Sequence, residues 1–214
     1  MEMNRDSLHN IQNHINWCWA AASKIVGIEY CHRNCLPIRA SINVERADAI
    51  RTDYQGLRPQ VCGLCQGMVT VDAMQLDIVE HAKDNQRNPT GNLPEDDEGK
   101  ARALRYIITG NPASVFPKIV TAGYYSDKQD LLDSSPSLIN EAMQLGNPFI
   151  GNYQRQDGTF HSVVLYPMMT SQLKLFDPWD GFQEQFSLPQ IFKSGFLTNQ
   201  GKGVILWIQY IRPE

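Results

Sequence analysis

The first part of the chain places its apolar residues at helical spacing. In residues 16–27 the apolar side chains follow a helical period, Asn16 is a suitable N-cap and Gly27 is a suitable end, so we predict a helix there. Residues 69–83 are also helix-like, whereas 84–98 are rich in Asn, Pro, Gly and acidic residues and predict an exposed loop. Shorter elements are predicted at 44–52 (helix), 99–109 (helix or strand) and 137–145 (helix, with Pro136 at its start and Gly146 at its end).

The pattern changes after residue 146. Short runs rich in β-branched and aromatic residues, separated by Gly or Pro, predict strands. Helices first and strands later indicate an α+β class with two segregated halves. The length of 214 residues suits one domain, 1–214, with a helical lobe over about 1–135 and a β-rich lobe over about 136–214. The predicted strands are 149–153, 161–166, 173–176 and 204–211.

Composition and charge narrow the class of protein. Hydrophobic residues make up 42% and charged residues 20%, which is a globular balance. The net charge of −4 attracts neither nucleic acid nor an anionic membrane, and no apolar run approaches the roughly 20 residues of a membrane helix. Residues 1–14 lack the apolar core of a signal peptide, so we expect synthesis in the cytoplasm. Export by a dedicated secretion system, and a place within a longer chain, both remain compatible with the sequence.

Cys18 is the first residue with candidate chemistry. It lies near the first turn of the helix predicted at 16–27, where unsatisfied amides and the positive end of the helix dipole favour thiolate over thiol. Thiolate is the nucleophilic form of cysteine. Taken alone, the segment fits equally well a buried, unreactive cysteine between Trp17 and Trp19.

His161 is the strongest candidate for a base beside such a thiol. Histidine titrates near neutrality, and of the five histidines His161 opens an apolar strand that would hold its ring in place. Asp177 follows the strand 173–176 directly. An antiparallel register that pairs His161 with Asp177 and Leu165 with Leu173 would let Asp177 accept from the imidazole N–H. The alternative role for Asp177 is that of a turn residue before Pro178.

Attack on an amide carbonyl also requires donors for the oxyanion. The backbone N–H of Cys18 is one candidate. Gln12, six residues before Cys18, is the side-chain candidate, with Asn13 and Asn16 as competitors on composition.

These residues together resemble the papain-like cysteine peptidases. The family pattern of Gln, then Cys-Trp-Ala, then a distant His and finally Asn or Asp is similar to Gln12, Cys18-Trp19-Ala20, His161 and Asp177. The N-W-C-W-A-A opening and D-P-W-x-G at 177–181 resemble its bacterial branch, which includes bacteriocin-leader-processing peptidases and secreted effector or toxin peptidases. The resemblance implies a two-lobed fold with the substrate between the lobes, and a Cys-His-Asp triad that forms an acyl-enzyme without a cofactor. Asp replaces the more common Asn, and Ile15-Asn16-Trp17 replaces the residues that usually precede the cysteine.

Four further cysteines form two close pairs. The spacings C-x3-C and C-x2-C suit a tetrahedral structural zinc, and His32 is a competing ligand. One or two disulfides, or free thiols, fit the same spacing. These cysteines are Cys31, Cys35, Cys62 and Cys65.

The expected function is that of a cysteine endopeptidase acting on proteins or peptides. A transglutaminase-type or deamidating enzyme would use the same Cys-His-Asp order on glutamine side chains. A binding module without activity is the third alternative. If the protein is a peptidase, it is either a delivered bacterial toxin or effector with a dedicated inhibitor as partner, or a processing peptidase of narrow specificity.

Overall fold

The fold combines helices with an antiparallel sheet, which is compatible with the α+β class predicted from the sequence. The computed structural model describes residues 17–34, 78, 79, 82, 97–123, 130–168 and 171–213. The helices are α1 (Cys18–Arg33), α2 (Asp97–Thr109), α3 (Leu131–Ser134) and α4 (Pro136–Leu145), with a π-helical turn at Gln190–Ser194. The strands are β1 (Lys118–Gly123), β2 (Phe149–Gln154), β3 (Phe160–Pro167), β4 (Gln172–Phe176), β5 (Gln183–Ser187), β6 (Phe196–Thr198), β7 (Gly201–Gly203) and β8 (Ile205–Arg212).

Six of these strands form one antiparallel sheet in the order β1-β8-β2-β3-β4-β5. Strands β6 and β7 pair separately. β3 lies inside the sheet, and all six of its residues from His161 to Tyr166 are buried. Strand β1 joins the sheet although it belongs to residues 1–135, which the sequence pattern assigned to the helical lobe.

The sheet is covered by helices on both faces. Alternate residues of a strand point to opposite faces, and the apolar residues divide accordingly. Val164 and Phe176 belong to a cluster with α1 and α2, whereas Val163 and Leu165 belong to a cluster with α3, α4 and the π-helical turn. Burial on both faces explains why β3 has a continuous apolar run rather than an alternating one.

Helix α1 runs through the position where the sequence predicted its end. Residues 18–27 are buried without interruption, including the polar Ser23 and Lys24, so every face of this part of the helix lies against protein. A Cβ at Gly27 would lie 2.7 Å from Cγ2 of Ile107 on α2. Gly27 therefore allows close approach of two helices rather than terminating one, and the prediction of a helix end at this residue was wrong.

The remaining predicted elements fare as follows. Helix α4 begins at Pro136 and ends before Gly146, whose φ of 68° is the left-handed conformation expected after a helix. Residues 99–109 are helical, and that helix starts at Asp97, inside the predicted loop. Residues 78, 79 and 82 are helical as predicted, while the rest of 69–83, the helix at 44–52 and positions 84–96 lie outside the described residues. The four predicted strands are confirmed as β2, β3, β4 and β8.

No helix in the described part of the chain is both long and apolar enough to span a bilayer.

Candidate active site

Cys18 is the first residue of α1. The carbonyl of Trp17 accepts from Ala21 N at 2.9 Å, so the N–H of Cys18 lies at the amino end of the helix, ahead of this first described intrahelical bond. The Cys18 thiol is unbridged and 7% exposed. The positive end of a helix that is itself buried therefore acts directly on this sulfur, as the sequence led us to expect.

His161 lies near the start of β3, where the strand has one open edge. The ladder with β2 includes the His161–Tyr153 pair, but the ladder with β4 begins only at Val164–Phe176. The predicted register of β3 and β4 was wrong by two residues, since Leu165 pairs with Leu175 and not with Leu173. A shift of two residues keeps every side chain on its predicted face, which is why the expected neighbour of His161 is still within reach.

Asp177 is the neighbour that His161 contacts. Its Oδ1 is 2.7 Å from Nε2 of His161, and the two side chains are 0% and 1% exposed. The same oxygen accepts from the backbone N–H of Trp179 at 2.8 Å. Gly181, with a φ of 76°, closes the turn by donating to the Asp177 carbonyl at 2.9 Å. Asp177 is thus both a turn residue before Pro178 and a fixed acceptor for the imidazole.

The electrostatics of the pair favour its ionised form. Burial by itself raises the pKa of Cys18, but the positive charge and hydrogen bond of His161 outweigh it, and the pKa falls from 9.0 to about 7. Burial lowers the pKa of His161, but the charge on Cys18 and the hydrogen bond with Asp177 outweigh it and raise the pKa from 6.5 to about 9. Thiolate and imidazolium therefore coexist mainly between about pH 7 and pH 9.

Two groups that sequence reasoning missed also stabilise the thiolate. The backbone of Ser162 forms a hydrogen bond with the Cys18 sulfur, at the edge of β3 that β4 leaves open. Lys100, on α2, lowers the pKa of Cys18 through its charge and is only 3% exposed. Its Nζ lies 5.3 Å from the ring centre of Trp207. Their roles depend on where β4 ends and how α2 packs, which the local sequence does not encode.

Two further side chains contact the imidazole, and a third, Trp179, contacts one of them. The ring of Tyr153 meets it edge to face, with centroids 5.5 Å apart, and burial raises the pKa of Tyr153 to about 12, so it stays neutral. Arg155 Nη2 lies 2.9 Å from Nδ1 of His161, and Arg155 Cζ lies 5.1 Å from the ring centre of Trp179. Tyr153 could have been identified from the hairpin, because pairing across the turn at 155–159 places it opposite His161. Trp179 belongs to the D-P-W-x-G motif at 177–181, which the sequence comparison had already noted.

Several predicted residues lie outside the described residues. They include Gln12 and its competitors Asn13 and Asn16, so the side-chain oxyanion donor stays a prediction. Of the proposed zinc ligands, Cys31 is buried in α1, and Cys35, Cys62 and Cys65 lie outside the description, as does the side chain of His32. Within the described ranges, no group of three His, Cys, Asp or Glu side chains is arranged to hold a metal ion. The zinc prediction is therefore untested.

The chain matches no protein-family model, and it has no significant match among curated proteins or solved structures.

Proposed function

We propose that the protein is a cysteine peptidase in which Cys18 is the nucleophile, His161 the acid and base, and Asp177 the group that orients His161. The observation that carries the proposal is the buried 2.7 Å contact of His161 Nε2 with Asp177, which leaves Nδ1 to face the Cys18 thiol whenever the guanidinium of Arg155 is not bound to it. A nucleophile, a base and an acceptor for the base in this order form the minimal arrangement for acyl transfer by cysteine.

The chemical steps follow from that geometry. The Cys18 sulfur forms a bond to the carbonyl carbon, and the carbonyl π electrons move to the oxygen. When the tetrahedral intermediate collapses, the C–N bond breaks and the leaving nitrogen takes the proton from Nδ1 of His161. Water then attacks the thioester and gives a proton to Nδ1, and the C–S bond breaks, so the acid product leaves and the thiolate–imidazolium pair is restored. Asp177 keeps the ring orientation throughout through its bond to Nε2.

The oxyanion requires donors at the start of α1. The backbone N–H of Cys18 lies in the first turn, where no helical acceptor is available to it. We propose Gln12 as the second donor, on the motif spacing alone. Replacing Gln12 with Ala should lower kcat by about 100-fold while leaving alkylation of Cys18 unchanged, because the donor acts on the intermediate and not on the thiolate.

A papain-like two-lobed arrangement is part of the same proposal. Its support is that the site residues come from two different parts of the fold. Cys18 begins a buried helix, whereas His161 lies on an antiparallel sheet and Asp177 directly follows one of its strands. Substrate would then bind where the first turn of α1 meets the open edge of β3.

Product masses test the reaction class. The protein is incubated with a mixture of unlabelled polypeptides, with Cys18→Ala as the control. A peptidase yields paired fragments whose masses add up to substrate plus water. A glutamine deamidase instead yields intact chains heavier by about one dalton, and a transamidase yields cross-linked chains. Either of the last two results would replace the peptidase proposal, and identical spectra for both proteins would leave only a binding role.

For the biological role we propose a delivered bacterial toxin or effector that a dedicated inhibitor protein holds inactive in the producing cell. The alternative, a processing peptidase with few substrates, differs in its effect on a host. Wild type and Cys18→Ala are expressed from the same promoter in a bacterial host. Growth arrest by wild type alone supports the toxin, and equal growth of the two supports the processing role.

A further inference from the structure

Arg155 places an unusual positive charge beside the candidate catalytic pair. Its Nη2 lies 2.9 Å from Nδ1 of His161, and its guanidinium lies over the ring of Trp179. Its Nε is buried and lacks a hydrogen-bond partner. Among the described residues, no carboxylate forms a salt bridge with Arg155. The guanidinium therefore has an unused Nε donor and no salt bridge within the described ranges, and its charge acts on the Asp157 carboxylate only through space.

The backbone of Arg155 is firmly held. Arg155 N donates to Thr159 O at 2.7 Å, and Gly158 N donates to Arg155 O at 3.0 Å. The nearby carboxylate of Asp157 accepts from the backbone N–H and hydroxyl of Thr159, at 2.9 and 2.6 Å. Asp157 is thus occupied within the turn, and the position from which the Arg155 side chain extends is fixed.

The contact between Arg155 and His161 is compatible with only one protonation state. A neutral imidazole with its proton on Nε2 has a lone pair on Nδ1, which can accept from the guanidinium. In the imidazolium, Nδ1 carries a proton, and two donors of like charge then face each other. The reactive thiolate–imidazolium pair therefore requires the guanidinium to leave Nδ1, while the face of Trp179 remains available to support it.

The path of the proton indicates which half of a substrate would contact Arg155. Nδ1 delivers its proton to the leaving nitrogen, so the leaving half of the substrate lies beside Nδ1. Arg155 contacts the same nitrogen and therefore lies on the leaving-group side. A carboxylate is the group that suits a guanidinium best, because two parallel N–H donors match its two oxygens.

We propose that Arg155 selects substrates with a carboxylate on the residue that follows the scissile bond, and that this carboxylate draws the guanidinium away from Nδ1 of His161. Substrate binding would thereby shift the protein further toward the thiolate–imidazolium pair, which the free protein forms whenever the guanidinium is away from Nδ1. The inference rests on the proposed peptidase function for its substrate, but the anion site itself does not require it.

The anion site is tested first with two alkylating reagents that differ in charge. Rates of Cys18 modification by iodoacetate and by iodoacetamide are measured for wild type, Arg155→Gln and Arg155→Glu. Lys193→Gln is the matched control, because it removes one positive charge from a side chain that contacts Asp130 and Asp133 instead of His161. The iodoacetate-to-iodoacetamide rate ratio should fall about 10-fold in Arg155→Gln, further in Arg155→Glu, and not at all in Lys193→Gln. An unchanged ratio in both Arg155 variants would overturn the proposal.

Substrate choice is tested with peptides that differ only in the residue after the scissile bond. Wild type should cleave a peptide with Glu about 10- to 100-fold more efficiently than its Gln counterpart, Arg155→Gln should show a ratio near one, and Arg155→Glu should favour Lys. Peptides ending at that residue, with a free or an amidated C-terminus, show whether the side chain or the main chain supplies the carboxylate. Cleavage without any Glu preference contradicts the Arg155 inference alone. A charge-dependent alkylation ratio without cleavage of any peptide contradicts the peptidase proposal and leaves the anion site standing.

Discussion

The two ends of strand β3 differ in how they are paired and in what they carry. At the Val164–Pro167 end the strand pairs with β2 or β4 along its length, and its apolar side chains pack into the two cores. At the Phe160–Ser162 end only β2 is paired, and the other edge faces the first turn of α1. One end contributes mainly to stability, and the other holds the candidate chemistry.

The open end shows how a sheet can make a thiolate site. Where β4 stops, a backbone group of β3 is released from the ladder, and Ser162 uses it to bond the Cys18 sulfur. Phe176 is the last residue of β4 that pairs with β3. The next residue, Asp177, is the acceptor for the His161 imidazole. Termination of a strand thus supplies both a donor for the thiolate and an acceptor for the imidazole.

The largest expected effect is on activity, from the sulfur at the open end. Cys18→Ala should reduce kcat/KM by at least about ten-thousand-fold, because no other group can form the acyl-enzyme. Cys31→Ala, at the other end of the same helix, is the matched control and should keep activity in whatever fraction folds. Activity that survives in Cys18→Ala, measured on the peptide that wild type cleaves best, would remove Cys18 from the mechanism.

The next effect is on stability, from the paired end. Leu165 is fully buried, and Leu165→Ala should lower the free energy of unfolding by about 2–5 kcal/mol through loss of apolar contact and creation of a cavity. Urea unfolding measures this loss, while alkylation of Cys18 in the folded protein should keep its pH dependence. A shifted pH dependence would show that the two ends of β3 are not separable.

A smaller effect on activity is expected from the charge of Asp177. Asp177→Asn keeps an oxygen to accept from His161 Nε2 but removes the negative charge, so the pKa of His161 should fall from about 9. Imidazolium is present only below that pKa, so the alkaline limb of kcat/KM against pH should move to lower pH and the maximum fall about 10- to 100-fold. Asp180→Asn, in the same turn, is the control. An unmoved alkaline limb would mean that Asp177 orients the ring without affecting its charge.

The smallest effect concerns the helix that carries Cys18. Gly27→Ala should destabilise the protein by about 1–3 kcal/mol, because the added methyl would meet Ile107 at 2.7 Å. Combining it with Ile107→Ala should cost less than the sum of the two single changes, as a double-mutant cycle measures. Additive losses would show that the close approach of α1 and α2 at Gly27 does not limit packing.

The helices and strands that could be predicted from the sequence are those whose local pattern of apolar residues matches the way they are buried in the fold. Pro136 and Gly146 bounded α4 correctly, and β-branched runs marked four strands, because these signals are local. Strand β5, QEQFS, was missed, since an edge strand with three exposed or half-exposed residues at its start has little apolar pattern. Strand β1 was missed as well, although its register on β8 is regular.

The residues of the candidate site also divide into those that the sequence predicts and those that only the fold reveals. Cys18, His161 and Asp177 could be chosen because each has both a reactive side chain and a marked place beside a helix start or a strand end. Ser162 and Lys100 could not, because a backbone N–H carries no residue signature and a buried lysine resembles a surface one until the helix is packed. Gly27 was assigned as a helix end because the sequence alone does not distinguish a glycine that terminates a helix from one that allows two helices to touch.

The central claim is that Cys18 and His161 form an ion pair, and the pH dependence of alkylation tests it most directly. The rate of Cys18 modification by iodoacetamide is measured from pH 5 to pH 10 in wild type and His161→Ala, with the modified residue identified by mass. We expect a midpoint at about 7 in wild type and a shift toward 9.0 or above in His161→Ala, where burial is no longer offset by the imidazolium. A wild-type midpoint near 9.0, or a midpoint that does not move when His161 is removed, would contradict it.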